Sequence, residues 1–281
     1  MANKKEIKRK TGGPKKKSGR RSSYNKRKKK SAYWIYYILA ALFASLFIAW
    51  AYYVLFRPYV YRFRPCYGQK YYEICLPRGQ KVYGIDVSNH QKDIDWEKIK
   101  NEMHTEAPIS FVYIKATEGS DFKDKSFDRN FAEAKKQGFI RGAYHYFGTK
   151  SSGQAQAEMF IKTVKLEKGD LPPMVDVEVM PKDKKRFMQE LKIFIAKIEG
   201  HYGVKPIIYS YEKFKHKHLK ESFFDRYPSW VAHYYIDSLD EGIEWLIWQC
   251  SDIGEVPGIE TSVDINIFNG NVEQLKSLLI K

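Results

Sequence analysis

Hydrophobic positions follow two regimes along this chain. The run from Tyr33 to Phe56 carries no charge. As a helix it would extend roughly 36 Å at about 1.5 Å per residue, enough to cross a bilayer core of about 30 Å with some tilt. Tyr33, Trp34, Tyr36 and Tyr37 stand at one end and Trp50, Tyr52 and Tyr53 at the other, like the aromatic belts of a membrane span. From Lys81 onward, short apolar runs alternate with amphipathic stretches. Val82–Ser88, Phe111–Thr117, Ile140–Phe147, Met174–Val179 and Pro206–Tyr211 read as buried strands. Between them Phe127, Phe131 and Ala134 recur at helical spacing, as do Phe187, Leu191, Phe194, Ile195 and Ile198. Gly138 and Gly203 follow these stripes, where helix-ending glycines are expected.

After Tyr211 the rhythm changes. Trp230–Tyr234, Trp245–Cys250 and Val263–Phe268 predict three more strands, with too little chain between them for full crossover helices. Val272 to Ile280 predicts a closing amphipathic segment. Repeated strand-helix units imply a parallel sheet with covered faces. Eight strands in about 200 residues predict an α/β fold, a modified TIM-like barrel that has lost some outer helices. Chemistry in such barrels gathers at the C-terminal ends of the strands.

Charge changes the picture at one end only. The net charge is +16, but residues 1–30 hold fifteen Lys and Arg against the single acid Glu6 and account for +14, which leaves +2 for the rest. A nucleic-acid enzyme would carry positive charge on its folded part, so no nucleic-acid partner is expected. Residues 1–32 have almost nothing to bury and are expected to form a disordered basic tail. Residues 33–56 are expected to be a transmembrane helix, 57–80 a partly ordered juxtamembrane connector rich in Tyr, Arg and Pro, and 81–281 the barrel. Lys and Arg remain on the cytoplasmic side, which places the tail in the cytoplasm and the barrel outside, on a single-pass anchor. A cleaved signal peptide is the rival. Its apolar region is usually about 7–15 residues, and Ala49-Trp50-Ala51 is a poor cleavage site. Cys66 and Cys75 either close a small loop in an oxidising compartment or stay as free thiols; spacing does not choose. Cys250 reads as a buried small residue.

The candidate chemistry is carried by acids. In Asp176-Val177-Glu178, side chains at i and i+2 of a strand share a face, so two carboxyl groups converge among apolar neighbours. Like charges that close cannot both ionise cheaply, and one pKa should rise. A carboxyl group still protonated near neutral pH is what acid-catalysed cleavage of a glycosidic bond requires. Asp86 ends the first barrel strand, Glu118 follows the second and Asp264 opens the last, so one barrel mouth is expected to collect all five acids. Tyr144, His145, Phe147, Tyr209, Trp230, Tyr234 and Trp248 are candidates to stack on sugar faces, with about half of the strand aromatics expected to be core instead. His145, His201, His216, His218 and His233 form no ligand set, and no metal or cofactor is expected.

Several of these segments together match a known pattern. Gly84-Ile85-Asp86-Val87-Ser88 with Gln91 and Ile94-Asp95-Trp96, then Ala116-Thr117-Glu118-Gly119, Gly142-Ala143-Tyr144-His145, Asp176-Val177-Glu178, Trp248-Gln249 and Val263-Asp264-Ile265-Asn266-Ile267-Phe268 resemble family 25 glycoside hydrolases, the muramidases that cut bacterial peptidoglycan. The resemblance runs from about Val82 to the C-terminus and does not cover residues 1–80. It implies a barrel of five strand-helix units followed by three strands. It also implies Glu178 as proton donor, with Asp86, Asp176 and Asp264 as acidic partners. Lys92 departs from the pattern where a glycine commonly follows the Gln, and Cys250 where an aromatic residue is frequent.

The function so implied is hydrolysis of the β-1,4 bond between N-acetylmuramic acid and N-acetylglucosamine, with peptidoglycan glycan strands as partner. Asp176 would orient the substrate's N-acetyl group as an internal nucleophile, or Asp264 or Asp86 would act directly. The alternatives are a membrane-tethered module that binds the wall without turnover, and an enzyme acting on another amino-sugar polymer. The sequence leaves oligomeric state open.

Overall fold

The computed structural model describes residues 13, 20–56, 66, 69–77, 79 and 82–281. They divide into two compact units, Met1–Tyr59 and Val60–Lys281.

In the first unit, helix α1 (Arg20–Ala51) continues into a π-helical turn, Tyr52–Phe56. The stretch Tyr33–Phe56 has a mean hydropathy of 2.1 and is not buried within the protein. Helix α1 starts at Arg20, inside the segment expected to be disordered. Lys and Arg are good helix formers, and adding a residue to an existing helix avoids the cost of nucleation. The apolar run therefore extends its helix back into the basic tail. The remainder of the disordered-tail expectation, residues 1–12 and 14–19, lies outside the described residues.

The second unit opens with a hairpin, β1 (Gln69–Tyr71) paired antiparallel with β2 (Ile74–Leu76). A disulfide joins Cys66 to Cys75. The hairpin forms the ordered part of the stretch expected to be a partly ordered connector; the rest of that expectation, residues 57–65, 67–68, 78 and 80, lies outside the described residues. Tyr72, Ile74 and Leu76 alternate into the outer core, the Tyr72 hydroxyl donates to Ala107 O at 2.6 Å, and Glu255 N–H donates to Tyr72 O at 2.9 Å.

The barrel follows as β3 (Tyr83–Val87), α2 (Trp96–Glu102), β4 (Ile109–Glu118), β5 (Phe122–Lys123), α3 (Phe127–Lys136), β6 (Ile140–Tyr146), α4 (Gly153–Thr163), β7 (Met174–Asp176), α5 (Lys184–Tyr202), β8 (Ile207–Tyr211) and α6 (Glu212–His218). Three strands complete it, β9 (Ser229–Ala232), β10 (Ile247–Gly254) and β11 (Val263–Phe268), before α7 (Val272–Ser277). The order β3-β11-β10-β9-β8-β7-β6-β4 closes through a β3–β4 pairing, so the expected five strand-helix units and three strands form one ring. Strand β11 alone runs antiparallel to both neighbours. A parallel return would need a crossover of a dozen or more residues, and residues 255–262 do not supply it. This reversal carries the start of β11, with Asp264, to the C-terminal ends of the parallel strands.

Apolar residues fill two layers. Phe111, Tyr113, Trp230 and Phe268 plug the barrel interior, and a Cβ on Gly142 would stand 2.4 Å from the Tyr113 ring, so only glycine admits that ring. Ile85, Val112, Val175, Phe194 and Trp248 lie in the layer outside the ring of strands. Each large side chain so buried contributes about 1.5–3 kcal/mol of transfer free energy.

Candidate active site

At the C-terminal ends of the parallel strands a cleft of about 260 Å³ is lined by Asp86, Asp176, Glu178 and Asp264. Asp86 comes from β3, Asp176 from the last position of β7 and Asp264 from β11. Glu178 lies just beyond β7. The strand's alternation nevertheless continues: Val177 N–H donates to Tyr209 O at 2.9 Å and its side chain is buried in the outer core. Glu178 therefore returns to the face that carries Asp176.

Asp86 is held by two amides. Asn266 Nδ2 donates to its Oδ1 at 2.6 Å and Gln249 Nε2 to the same oxygen at 2.8 Å. Each amide is oriented from its other end. The hydroxyls of Tyr209 and Tyr234 donate to Gln249 Oε1 at 2.7 and 2.6 Å, and Trp230 Nε1 donates to Asn266 Oδ1 at 3.0 Å. Asp176 Oδ1 is buried with no hydrogen-bond partner among the described residues.

All four carboxyl groups are shifted toward the protonated form, and burial is the largest cause each time. Burial raises Asp86 to about 6, against the pull of Asn266, Gln249 and a hydrogen bond with Asp264. Burial takes Asp264 well above its usual range, helped by the charges of Asp86 and Asp252. For Asp176 burial is reinforced by the charges of Glu178 and Asp86. Glu178 rises by burial, opposed by the hydroxyls of Tyr211 and Tyr209 and by Lys115. Repulsion within the Asp-x-Glu pair, the cause named from sequence, is thus secondary to desolvation. Acids that keep a proton near neutral pH beside others that lose it suit general acid–base chemistry.

The remaining sequence candidates separate. Tyr144, Tyr209 and Tyr234 line the cleft. Glu118 does not: it pairs with Lys115 at 2.7 Å and borders an adjoining hollow. His145, next to Tyr144, points to the opposite face of β6 and stacks on Phe194. Phe147 packs edge-on against Phe187 and Phe194 in that same layer. Trp248 alternates with Gln249 and turns outward, donating Nε1 to His233 O at 2.9 Å. Trp230 is fully buried in the barrel interior. For these four aromatic residues the expected sugar contact gives way to packing, because strand periodicity turns His145 and Trp248 away and Trp230 and Phe147 have no exposed face. Residues the sequence reading did not place in the site are Tyr211 and Asp252, which line the cleft, and the orienting amides Gln249 and Asn266. Gln249 and Asn266 sat within the quoted motifs, at positions alternating with core residues, which was the available signal.

The model of "Glycosyl hydrolases family 25" matches residues 85–259. YegX of Escherichia coli strain K12 is 40% identical over 221 residues, covering 78% of this chain and 80% of that protein. Lysozyme M1 of Streptomyces globisporus is 32% identical over 213 residues, covering 70% and 71%. The structure of a family 25 glycosyl hydrolase from Bacillus anthracis superposes with a TM-score of 0.64 at 33% identity, covering 71% of this chain and 94% of that one. With the barrel, its reversed last strand and a cleft lined by four acids already in place, these matches make the chain a member of glycosyl hydrolase family 25 and so a glycoside hydrolase.

Proposed function

We propose that the protein is a membrane-anchored muramidase that hydrolyses the β-1,4 bond between N-acetylmuramic acid and N-acetylglucosamine in peptidoglycan. The observation that carries this reading is the convergence of Asp86, Asp176, Glu178 and Asp264 in one tyrosine-lined cleft. The lysozymes among its relatives support the choice of substrate.

In this mechanism the Glu178 carboxyl group protonates the glycosidic oxygen as the bond to C1 breaks. Positive charge develops on the sugar ring and is stabilised by the surrounding carboxylates. The unpartnered Asp176 Oδ1 accepts the N–H of the substrate's 2-acetamido group and turns its carbonyl oxygen toward C1, so that a cyclic oxazolinium ion forms. Glu178, now a carboxylate, takes a proton from the water that attacks C1; the acetamide is regenerated with net retention. Asp86 suits a supporting role better than a nucleophilic one, since two amides already occupy its Oδ1.

The helix over Tyr33–Phe56 serves as the anchor, with the basic residues before it on the cytoplasmic side and the barrel outside. Digestion of purified sacculi tests the activity. New reducing ends on N-acetylmuramic acid are expected, and reducing ends on N-acetylglucosamine would reject the reading. Protease protection of the barrel in intact cells would reject the topology.

A further inference from the structure

Beside the catalytic cleft lies a second hollow of about 550 Å³ that the proposed mechanism does not use. It lies near the cleft: Val179 on its wall follows Glu178 in the chain, and Tyr146 on its wall has a hydroxyl that feels the charges of Glu178 and Asp176. Its rim carries one acid and one base, Asp121 and Lys150, both exposed and neither in an ion pair among the described residues. The third charge on its wall, Glu118, is already neutralised by Lys115.

The wall of the hollow is tightly built. A Cβ on Gly148 would lie 3.1 Å from Gly119 Cα, closer than ordinary contact, so two backbones pack directly against each other there. The loop bearing Lys150 is pinned from behind by Gln156, which is fully buried. Gln156 Nε2 donates to Gly148 O at 2.9 Å and Ser151 O at 3.1 Å, and its Oε1 accepts Gly148 N–H at 2.8 Å. That fixes the amide, so His145 donates to Oε1 from Nε2 at 3.0 Å and takes the Thr117 hydroxyl on Nδ1 at 2.7 Å. Burial lowers His145 to about 4, so the ring stays neutral and the chain of hydrogen bonds persists at neutral pH. A buried polar chain with every member satisfied rigidifies what it holds.

We propose that this hollow is a subsite for the peptide stem that muramic acid carries on its lactyl group, with Lys150 taking a stem carboxylate and Asp121 its free amino group. The inference rests on the muramidase reading and adds to it the recognition of a charged substituent. The stem branches from a sugar at the scissile bond, and the hollow opens beside the residue assigned to that bond. The glycan itself offers no cation to Asp121, whereas a zwitterionic peptide matches both charges.

The test compares full-length chain in detergent on stem-bearing strands and on the same strands stripped of stems by an amidase. Wild type is expected to show kcat/KM about fivefold higher on stem-bearing strands, the scale of one exposed charge pair. Lys150→Ala should erase the preference through KM while leaving the stripped strands unaffected. Equal kcat/KM on the two substrates in wild type, or a Lys150→Ala loss shared by both, overturns the proposal. Calorimetry with a synthetic stem tetrapeptide on the Glu178→Gln chain separates this from the reading beneath it. Binding that disappears with Lys150→Ala supports the subsite even if no glycan is cut. A chain that cuts both substrates and binds no tetrapeptide loses the subsite alone.

Discussion

Asp86 on β3 and Asp264 on β11 stand directly opposite each other across an antiparallel strand pair, and both face the cleft. Like charges so placed destabilise a sheet. The structure resolves the conflict unequally: Asn266 and Gln249 donate to Asp86 and favour its carboxylate, while Asp264 keeps a proton and shares a hydrogen bond with it. The cleft is therefore a site that folding must hold together against its own charge.

This has a consequence for stability. An acid whose folded pKa lies above its unfolded value binds protons more readily in the native state, so stability falls as pH rises between the two values. For Asp86 that window runs from 3.8 to about 6, and Asp176, Glu178 and Asp264 shift in the same direction. The melting temperature should rise by about 2–4 °C for each kcal/mol regained as pH is lowered from 7 to 5. Asp264→Asn should raise the melting temperature at pH 7 and flatten the pH dependence. A melting temperature that declines steadily from pH 7 to 5 contradicts this.

Trp230 is fully buried and donates Nε1 to Asn266 Oδ1 at 3.0 Å, which places it to act through Asn266. Trp230→Phe keeps an aromatic side chain in the barrel interior and removes the hydrogen bond to Asn266 Oδ1. The Asn266 amide is then free to turn its donor away from Asp86. The expected outcome is a fall in kcat of about tenfold, on the scale of one hydrogen bond to a charged group, with KM for glycan unchanged. A sugar-stacking tryptophan would instead raise KM.

Lys92 carries backbone strain. It adopts φ 56° and ψ −130°, a conformation that suits glycine, at the point where the family pattern commonly has one. Lys92→Gly should stabilise the protein by about 1 kcal/mol, read as a higher urea midpoint at constant slope. An unchanged or lower midpoint would show that the lysine side chain compensates for its backbone.

The apolar runs made the strands legible, because a buried parallel strand needs little else to announce itself. Val263–Phe268 was read to the residue. Helix α4 was not read: its buried face consists of Gly153, Gln156, Ala157 and Phe160, too small and polar to register as an amphipathic stripe. The four cleft acids were legible as motif residues at strand ends. The direction of β11 was not inferred, although the short link before it required the reversal that brings Asp264 to Asp86. Adjacent aromatics such as Tyr144 and His145 were offered together, and strand alternation allows only one of each such pair to face the cleft. The amides that orient Asp86 come from strands far along the chain, and only barrel closure shows what they touch.

Asp176→Asn would replace an acceptor with an amide that can present its N–H₂ to the substrate's acetamido nitrogen. Activity on peptidoglycan should fall by about 10²–10³, the scale of losing one preorganised electrostatic contact in an active site. Thermal stability should rise, because a buried acid whose charge is disfavoured by burial and by Glu178 and Asp86 has been removed. Stability that falls alongside activity would mean that Asp176 has a structural role instead.

The most direct measurement is the turnover of Glu178→Gln on purified peptidoglycan, with glycan binding followed in parallel. The substitution keeps the size of the side chain and its contact with the Tyr211 hydroxyl but removes the transferable proton. Turnover should fall by about 10²–10⁴, the contribution of a general acid, while binding is retained. Turnover close to that of the unaltered chain would contradict the account at its centre.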